Sequence, residues 1–547
     1  MARTIGFRRL KTLLARAWAM QELRIGPEQW HEAQARHRRM LPGRREFLKT
    51  SALALAAAPG SPWSLVFPAP RRSDEPVLIL GAGAAGLAAA YQLTKNAVPF
   101  LLVEATRRVG GRIATEQKFN TDLQFIERGA ELVDSNHTVL MELAAELGLE
   151  LETFASGDEG PVPTLYHFGG KLHTEEEFVA GVGPLIERIK ASSEEIYGES
   201  DESILYRTRE ALPNAARYDH MTLREYLDSI SSEVEPWIRQ AVETAYLGEF
   251  GRETTEQSAI NLIDLIDLDV SDGFSMFGDS DEAMRVKGGN SRLTQRMFDA
   301  LKDQGRTPEE KIVRMEHVLR AVRRAGDSIL CVFDHRGKTV EQKSAQVICT
   351  IPFTTLREVE GLGELGLSAV KLECINRLGY GTNTKVMIAF KTRFWRKPHS
   401  GVPANTGSVY GDFPSQNLWE TSRLQPGNQG ILTAFLGGAA GLDADSDSVG
   451  QALQSLGRLY PGSMVKEQYD DVKVVMNWSK MPYAKGSFGC LMPGQYTSIW
   501  GAAHEPELEG RLLFAGEHTS LDFQGYMNGA YETGIRAATE ALEHRNA

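Results

Sequence analysis

The chain has 547 residues, 42% of them apolar and 24% charged, with a formal net charge of −12. That length exceeds what one hydrophobic core usually serves, so intertwined domains are expected, and the acidic balance excludes the basic footprint of a nucleic-acid binder. The four cysteines, Cys331, Cys349, Cys374 and Cys490, form no Cys-x-x-Cys pair, so zinc-ribbon and dithiol chemistry have no support and buried thiols are the expectation.

Residues 1–58 form an N-terminal extension. Its first forty are arginine-rich, and "FRRLKTLLARAWAM" carries apolar residues at helical spacing. A solvated extension is the favoured reading, with a contact to a membrane surface or a partner as the alternative. The apolar run from Ser51 to Ala58 is far shorter than the roughly 18 residues of a spanning helix. With Arg44 and Arg45 before it and small residues within it, it has the form of a signal-peptide core. The stretch "RREFLK", Arg44 to Lys49, resembles the twin-arginine export signal, with Gly43 in place of the usual serine. That resemblance implies the twin-arginine export machinery as a partner and a periplasmic or extracellular location, with a membrane tether if the segment is not cleaved. Residues 59–74, rich in Pro and Ser, read as a linker.

A strand, a glycine turn, a helix and a second strand follow, within a first cofactor segment over 75–135. "PVLIL" is an unbroken apolar run, as expected of a strand buried on both faces. "AAGLAAAYQLTKNAV" reads as a helix and "PFLLVEA" as the next strand. Residues 136–280 look mainly helical: "HTVLMELAAELGLELE" and "VGPLIERIKASSEEIY" carry apolar residues at three–four spacing, and Thr222 caps "MTLREYLDSI". Strand-like segments return in "HVLRAVRRAGDSILCVFDHRG", "SAQVICTIP" and "TNTKVMIAFKTRFW", within a second cofactor segment over 281–390. A mixed region spans 391–475. The third cofactor segment, 476–547, ends in a helix from about Gly525 to His544.

The chemistry starts at "GAGAAG". Gly81 permits a tight turn, Gly83 lets backbone approach a pyrophosphate, and Gly86 lets helix and strand pack closely. Unpaired N–H groups at the helix start favour the phosphates. Glu104, 18 positions after Gly86, ends the second strand where a carboxylate accepts bonds from ribose hydroxyls. Strand, turn, helix and acid together point to dinucleotide binding. In "EATRRVGGRIAT", Gly110 and Gly111 allow a second close approach and Arg112 offers a phosphate-binding fork.

These motifs, with "ERGAELVDSNH", "MRVKGGNSRLTQRM" and "LLFAGEHTSLDFQGYMNGAYETGIRAA", resemble the FAD-dependent amine oxidase family of monoamine, polyamine and L-amino-acid oxidases. The resemblance covers roughly residues 75–547. It implies an α/β fold: a Rossmann-like FAD-binding domain interleaved with a mixed-sheet substrate domain and a helical subdomain. It implies FAD contacts at Gly81, Gly83, Ala85, Gly86, Glu104, Ala105, Gly111, Arg112, Gly129, Ala130, Glu131, Leu132, Val318, Trp478, Gly516, Glu517, Tyr526 and Met527. Within these, Val318 would meet adenine through its backbone, Trp478 would lie against the flavin, and Glu517 would accept a ribityl hydroxyl. No metal is expected.

Lys385 lies in the apolar strand "TNTKVMIAF", where an unpartnered charge is costly. The resemblance makes it the catalytic residue that holds a water at flavin N5 and promotes reaction with O2. Tyr526 and Phe488 would form an aromatic cage for a neutral amine. Two departures stand out. Ser487 replaces the cysteine that attaches flavin in monoamine oxidases, so FAD is expected to be non-covalent. Leu132 replaces the arginine that clamps a substrate carboxylate in many L-amino-acid oxidases. Glu131 and Asp522 could select a cationic substrate tail or be surface groups. The expected reaction is oxidative deamination of an L-amino acid or related primary amine, with O2 reduced to H2O2. A polyamine or monoamine oxidase is the alternative, then a flavin desaturase, a porphyrinogen-type oxidase or a non-catalytic exported flavoprotein. A homo-oligomer is open.

Overall fold

The computed structural model describes residues 75–154, 161–200, 202–264, 282–302 and 312–546. The arginine-pair segment and the linker lie outside the described residues.

Five short runs, widely separated in sequence, make one sheet. Its order is Leu512–Phe514, Val347–Cys349, Val77–Leu80, Phe100–Val103 and Val313–Arg314, and every neighbouring pair is parallel. The strands "VLIL" and "FLLV" are buried along their whole length, which is why they show no polar alternation. Helix Ala84–Lys95 joins them. The terminal helix Met527–Asn546 packs on that helix so closely that a Cβ at Gly534 would stand 2.2 Å from the Ala85 carbonyl oxygen. Leu87, Ala88, Tyr531, Ala537 and Ala541 share the core beneath.

A seven-stranded sheet forms the second layer. Its order is Tyr469–Asn477, Thr384–Phe390, Gly430–Leu436, Asn417–Glu420, Val409–Gly411, Leu165–Phe168 and Lys171–His173. All pairings are antiparallel except Val409–Gly411 with Leu165–Phe168. Helices Gly183–Tyr197, Leu223–Asp228 and Pro236–Phe250 pack through Ile189, Tyr226, Tyr246 and neighbours into a helical subdomain. Thr222 closes a capping box with Glu225, as its sequence position predicts. A three-stranded antiparallel meander, Val318–Ala325, Ser328–His335 and Lys338–Ser344, flanks the parallel sheet. This is the interleaved α/β architecture expected from the sequence.

Two local readings change. The stretch read as one helix from His137 divides into helix Thr138–Glu146 and strand Leu151–Thr153, which pairs with Met284–Val286. Gly148, at φ +69°, takes the left-handed conformation that ends the helix. The strand that bears Lys385, grouped by sequence with the second cofactor segment, pairs instead with Gly430–Leu436 and Tyr469–Asn477 in the mixed sheet. All four cysteines are buried and free. Among the described residues no helix is long and apolar enough to cross a membrane.

Candidate active site and cofactor cavity

One cavity of about 810 Å³ is lined by both sheets, the meander and the start of the terminal helix. Every expected site residue lines it except Gly86. Gly86 acts from beneath: a Cβ there would stand 1.8 Å from the Gly81 carbonyl oxygen, so only glycine lets the helix seat against the turn. Gly81 itself is at φ +103°, a conformation that L side chains rarely adopt.

At this end, helix Ala84–Lys95 starts at Gly83 with no side-chain cap and no acidic residue in its first turn. Its first N–H groups are therefore left for an anion. Gly83 forms a bridge to Gly110, which brings the two glycine turns together. Glu104 is fixed by bonds from the Ala82 N–H (2.8 Å), the Thr106 N–H (2.9 Å) and the Thr106 hydroxyl (2.8 Å). A carboxylate has about four acceptor positions, so one remains for a ribose hydroxyl. Val318 lines the wall opposite, from the meander. An uncapped helix start, paired glycine turns and an anchored acid fit the pyrophosphate and ribose of FAD.

Arg112 lines the cavity and is anchored through one of its nitrogens. Its Nη1 pairs with Glu517 Oε1 at 2.9 Å and also donates to the Ser487 carbonyl. Glu517 further accepts from the Gly525 N–H (2.8 Å) and the Gly489 N–H (3.3 Å). Arg112 thus also fixes the carboxylate expected at the ribityl chain.

The inner end gathers Lys385, Glu131, Leu132, Trp419, Phe435, Trp478, Phe488 and Tyr526. Lys385 Nζ donates to Glu131 Oε2 and the Gly129 carbonyl, both at 2.7 Å, and to the Glu127 carbonyl at 3.2 Å. Those are all three of an ammonium's N–H groups. A water held by Lys385 would therefore displace one of these acceptors. The ammonium also lies 5.3 Å from the centre of the Trp419 ring, within cation–π range. Trp478 is held by its indole N–H on the Arg128 carbonyl at 3.1 Å. Tyr526 is braced from behind by the His137 ring, 5.1 Å between centres. Ser487 Oγ donates to Asn383 at 2.6 Å.

Glu131 and Asp522, equivalent possibilities by sequence, separate here. Glu131 is buried and engaged by Lys385, so it is not a surface group. Asp522 is exposed and does not line the cavity.

Three residues were not anticipated. Trp419 and Phe435 line the inner wall from neighbouring strands of the mixed sheet, their rings 5.3 Å apart. Phe435 stands directly opposite Lys385, a register that no local pattern shows. Glu127 is fully buried beneath the same wall and accepts from Thr115 Oγ1 (2.9 Å) and the Asn290 N–H (2.7 Å). Burial pushes its carboxyl up to about 8. Its signal was present in the sequence: an acid inside the apolar "QFIERGA".

A dinucleotide cradle that opens into an aromatic chamber with a buried lysine defines a flavin-dependent oxidoreductase. The chain belongs to the flavin containing amine oxidoreductase family, whose model matches residues 84–542, and FAD is its cofactor. It is 28% identical over 486 residues to an L-amino-acid oxidase of Siganus canaliculatus, covering 85% of this chain and 84% of that protein. It is 24% identical over 489 residues to the flavin-containing amine oxidase B of Canis lupus familiaris, covering 85% and 86%. Among solved structures, putrescine oxidase bound to putrescine shares the fold with a TM-score of 0.68 at 21% identity, covering 86% of this chain and 99% of that one.

Proposed function

We propose that the protein oxidises a primary amine that carries no carboxylate beside its nitrogen, using non-covalent FAD and O2. The observation that carries this reading is the state of the cations on the cavity wall. Arg112, Arg320, Lys385 and Lys485 are each paired with an acid. Arg108 donates to the carbonyls of Val109, Gly111 and Ile113. Among the described residues, each lining cation already has an acid or carbonyl partner, which supports a substrate without a carboxylate, and Leu132 stands where the sequence resemblance places the carboxylate-clamping arginine. Both amine and L-amino-acid oxidases occur among the relatives, and the charge inventory supports the amine reading.

In this reading Phe488 and Tyr526 flank the substrate and Trp419 and Phe435 close the chamber behind it. Their apolar faces favour the neutral amine, and burial excludes bulk water. Bound flavin supplies the hydride acceptor and passes the electrons to dioxygen. The amine loses a hydride from carbon and a proton from nitrogen. Water hydrolyses the imine to a carbonyl compound and ammonia, and dioxygen with two electrons and two protons becomes hydrogen peroxide. Lys385 places positive charge where oxygen becomes anionic. Ser487, a hydroxyl engaged by Asn383, supports non-covalent retention.

A peroxidase-coupled screen of the FAD-loaded protein over monoamines, diamines and L-amino acids tests this. Peroxide from amines well above that from amino acids is expected. Peroxide from L-amino acids alone would overturn the amine preference, and none from any of them would overturn the oxidase reading.

We further propose export by the twin-arginine route, supported by "RREFLK" and by a cofactor that needs a finished fold to be held. Replacing Arg44 and Arg45 together by lysine is expected to retain the protein in the cytoplasm.

A further inference from the structure

Lys385 sits in a strand whose seven residues, Thr384–Phe390, are all buried. A bare ammonium there would carry a desolvation cost that the strand's own neighbours cannot offset: Lys385 is paired across the sheet with Phe435 on one side and Met476 on the other. The compensation comes from another part of the chain. Glu131 Oε2 lies 2.7 Å from Lys385 Nζ, and the two side chains keep only 5% and 7% of their surface.

We propose that Glu131 is the counter-ion and positioning residue of Lys385. It holds the ammonium on the chamber wall and offsets its charge within the apolar strand while the neutral amine approaches. The proposal rests on the reading above that the flavin ring lies beside Lys385.

Other charged groups near the ammonium do not take this part. Glu127 meets Lys385 through its backbone carbonyl, while its carboxyl is turned to Thr115 and Asn290. Burial also holds that carboxyl toward its neutral form. The remaining contacts of the ammonium, the Gly129 carbonyl and the Trp419 ring, orient it without carrying charge. The Lys385–Glu131 pair is therefore net neutral. Dioxygen, which acquires its negative charge only after the amine has been oxidised, still meets an oriented cation.

The test uses Glu131→Gln, Lys385→Met and the double variant, with two measurements that need no turnover. The first is the midpoint potential of the bound flavin, from photoreduction against a reference dye. Glu131→Gln leaves a lone cation, which favours the electron-rich reduced flavin and raises the potential. Lys385→Met leaves a lone carboxylate and lowers it. The double variant returns close to the starting value. A merely structural role for Glu131 does not produce shifts of opposite sign that cancel. The second measurement is the melting temperature of the flavin-free protein, expected to fall in each single variant and to recover in the double one.

A potential that moves in Lys385→Met but not in Glu131→Gln overturns the counter-ion proposal alone. A potential that moves in neither overturns the placement of the flavin ring, and the proposal with it. Strictly additive losses of melting temperature would also overturn the pairing.

Discussion

Arg112 and Glu517 are 405 positions apart in the chain, yet Nη1 of one lies 2.9 Å from Oε1 of the other. The first residue follows the second glycine turn and the second opens the segment leading to the terminal helix. Their pair joins the two ends of the cofactor wall.

Arg112→Ala is expected to destabilise the protein by about 2–3 kcal/mol. That is below the 3–5 kcal/mol of a fully buried pair, because Arg112 keeps 22% of its side chain exposed. Thermal denaturation with and without FAD checks this. FAD retention on gel filtration should fall with it.

Lys385→Met should slow the reaction of reduced flavin with oxygen by about 10²–10³-fold, the range for removal of one charge-stabilising group. Anaerobic reduction by amine should be largely retained. Stopped-flow measurement of the two half-reactions separates them; normal oxygen kinetics would refute the role.

Gly86→Ala puts a methyl 1.8 Å from a backbone oxygen that no rotamer can move. Loss of FAD binding is expected, read as the ratio of flavin absorbance to protein absorbance in the purified variant.

Two buried groups shape stability against pH. Glu127, at about 8 in the folded chain against 4.5 ordinarily, keeps a proton that the unfolded chain releases. Its contribution therefore falls as pH rises from about 4.5 to about 8. His518 is buried against Phe353, and burial holds it at about 4 instead of 6.5. The unfolded chain takes up that proton first, so stability falls as pH drops from 6.5 towards about 4. Melting temperatures across both windows should lose the fall with rising pH in Glu127→Gln and the fall with dropping pH in His518→Leu.

Phe488→Ala and Tyr526→Ala remove the two expected cage rings. Each should lower kcat/KM for amines by about 10–100-fold, through lost orientation of the substrate. Initial rates against amine concentration, compared with flavin reduction by dithionite, check that the loss lies with the substrate.

The cofactor cradle was legible in the sequence because its causes are local. Gly81, Gly83 and Gly86 act on neighbouring backbone, and Glu104 is placed by the length of one helix and strand. Lys385 was legible for a different reason: a lone charge in an apolar strand requires an explanation. Its partner was not, because Glu131 reaches it only through the packing of separate segments. Phe435 and Trp419 were missed likewise, since strand register brings them to Lys385 and each alone reads as core. The helix read through Gly148 shows the reverse error. Apolar periodicity continued past a glycine whose left-handed backbone ended the element.

The close seat of Gly534 on Ala85, and the edge strand Leu512–Phe514 beside Val347–Cys349, bear on biosynthesis. The nucleotide turn is among the first parts of the described chain to leave the ribosome, and its supporting helix is the last. A nascent or prematurely terminated chain lacks the wall that closes the cradle. Flavin occupancy thus reports on helix Met527–Asn546: a chain truncated before Met527 is expected not to turn yellow.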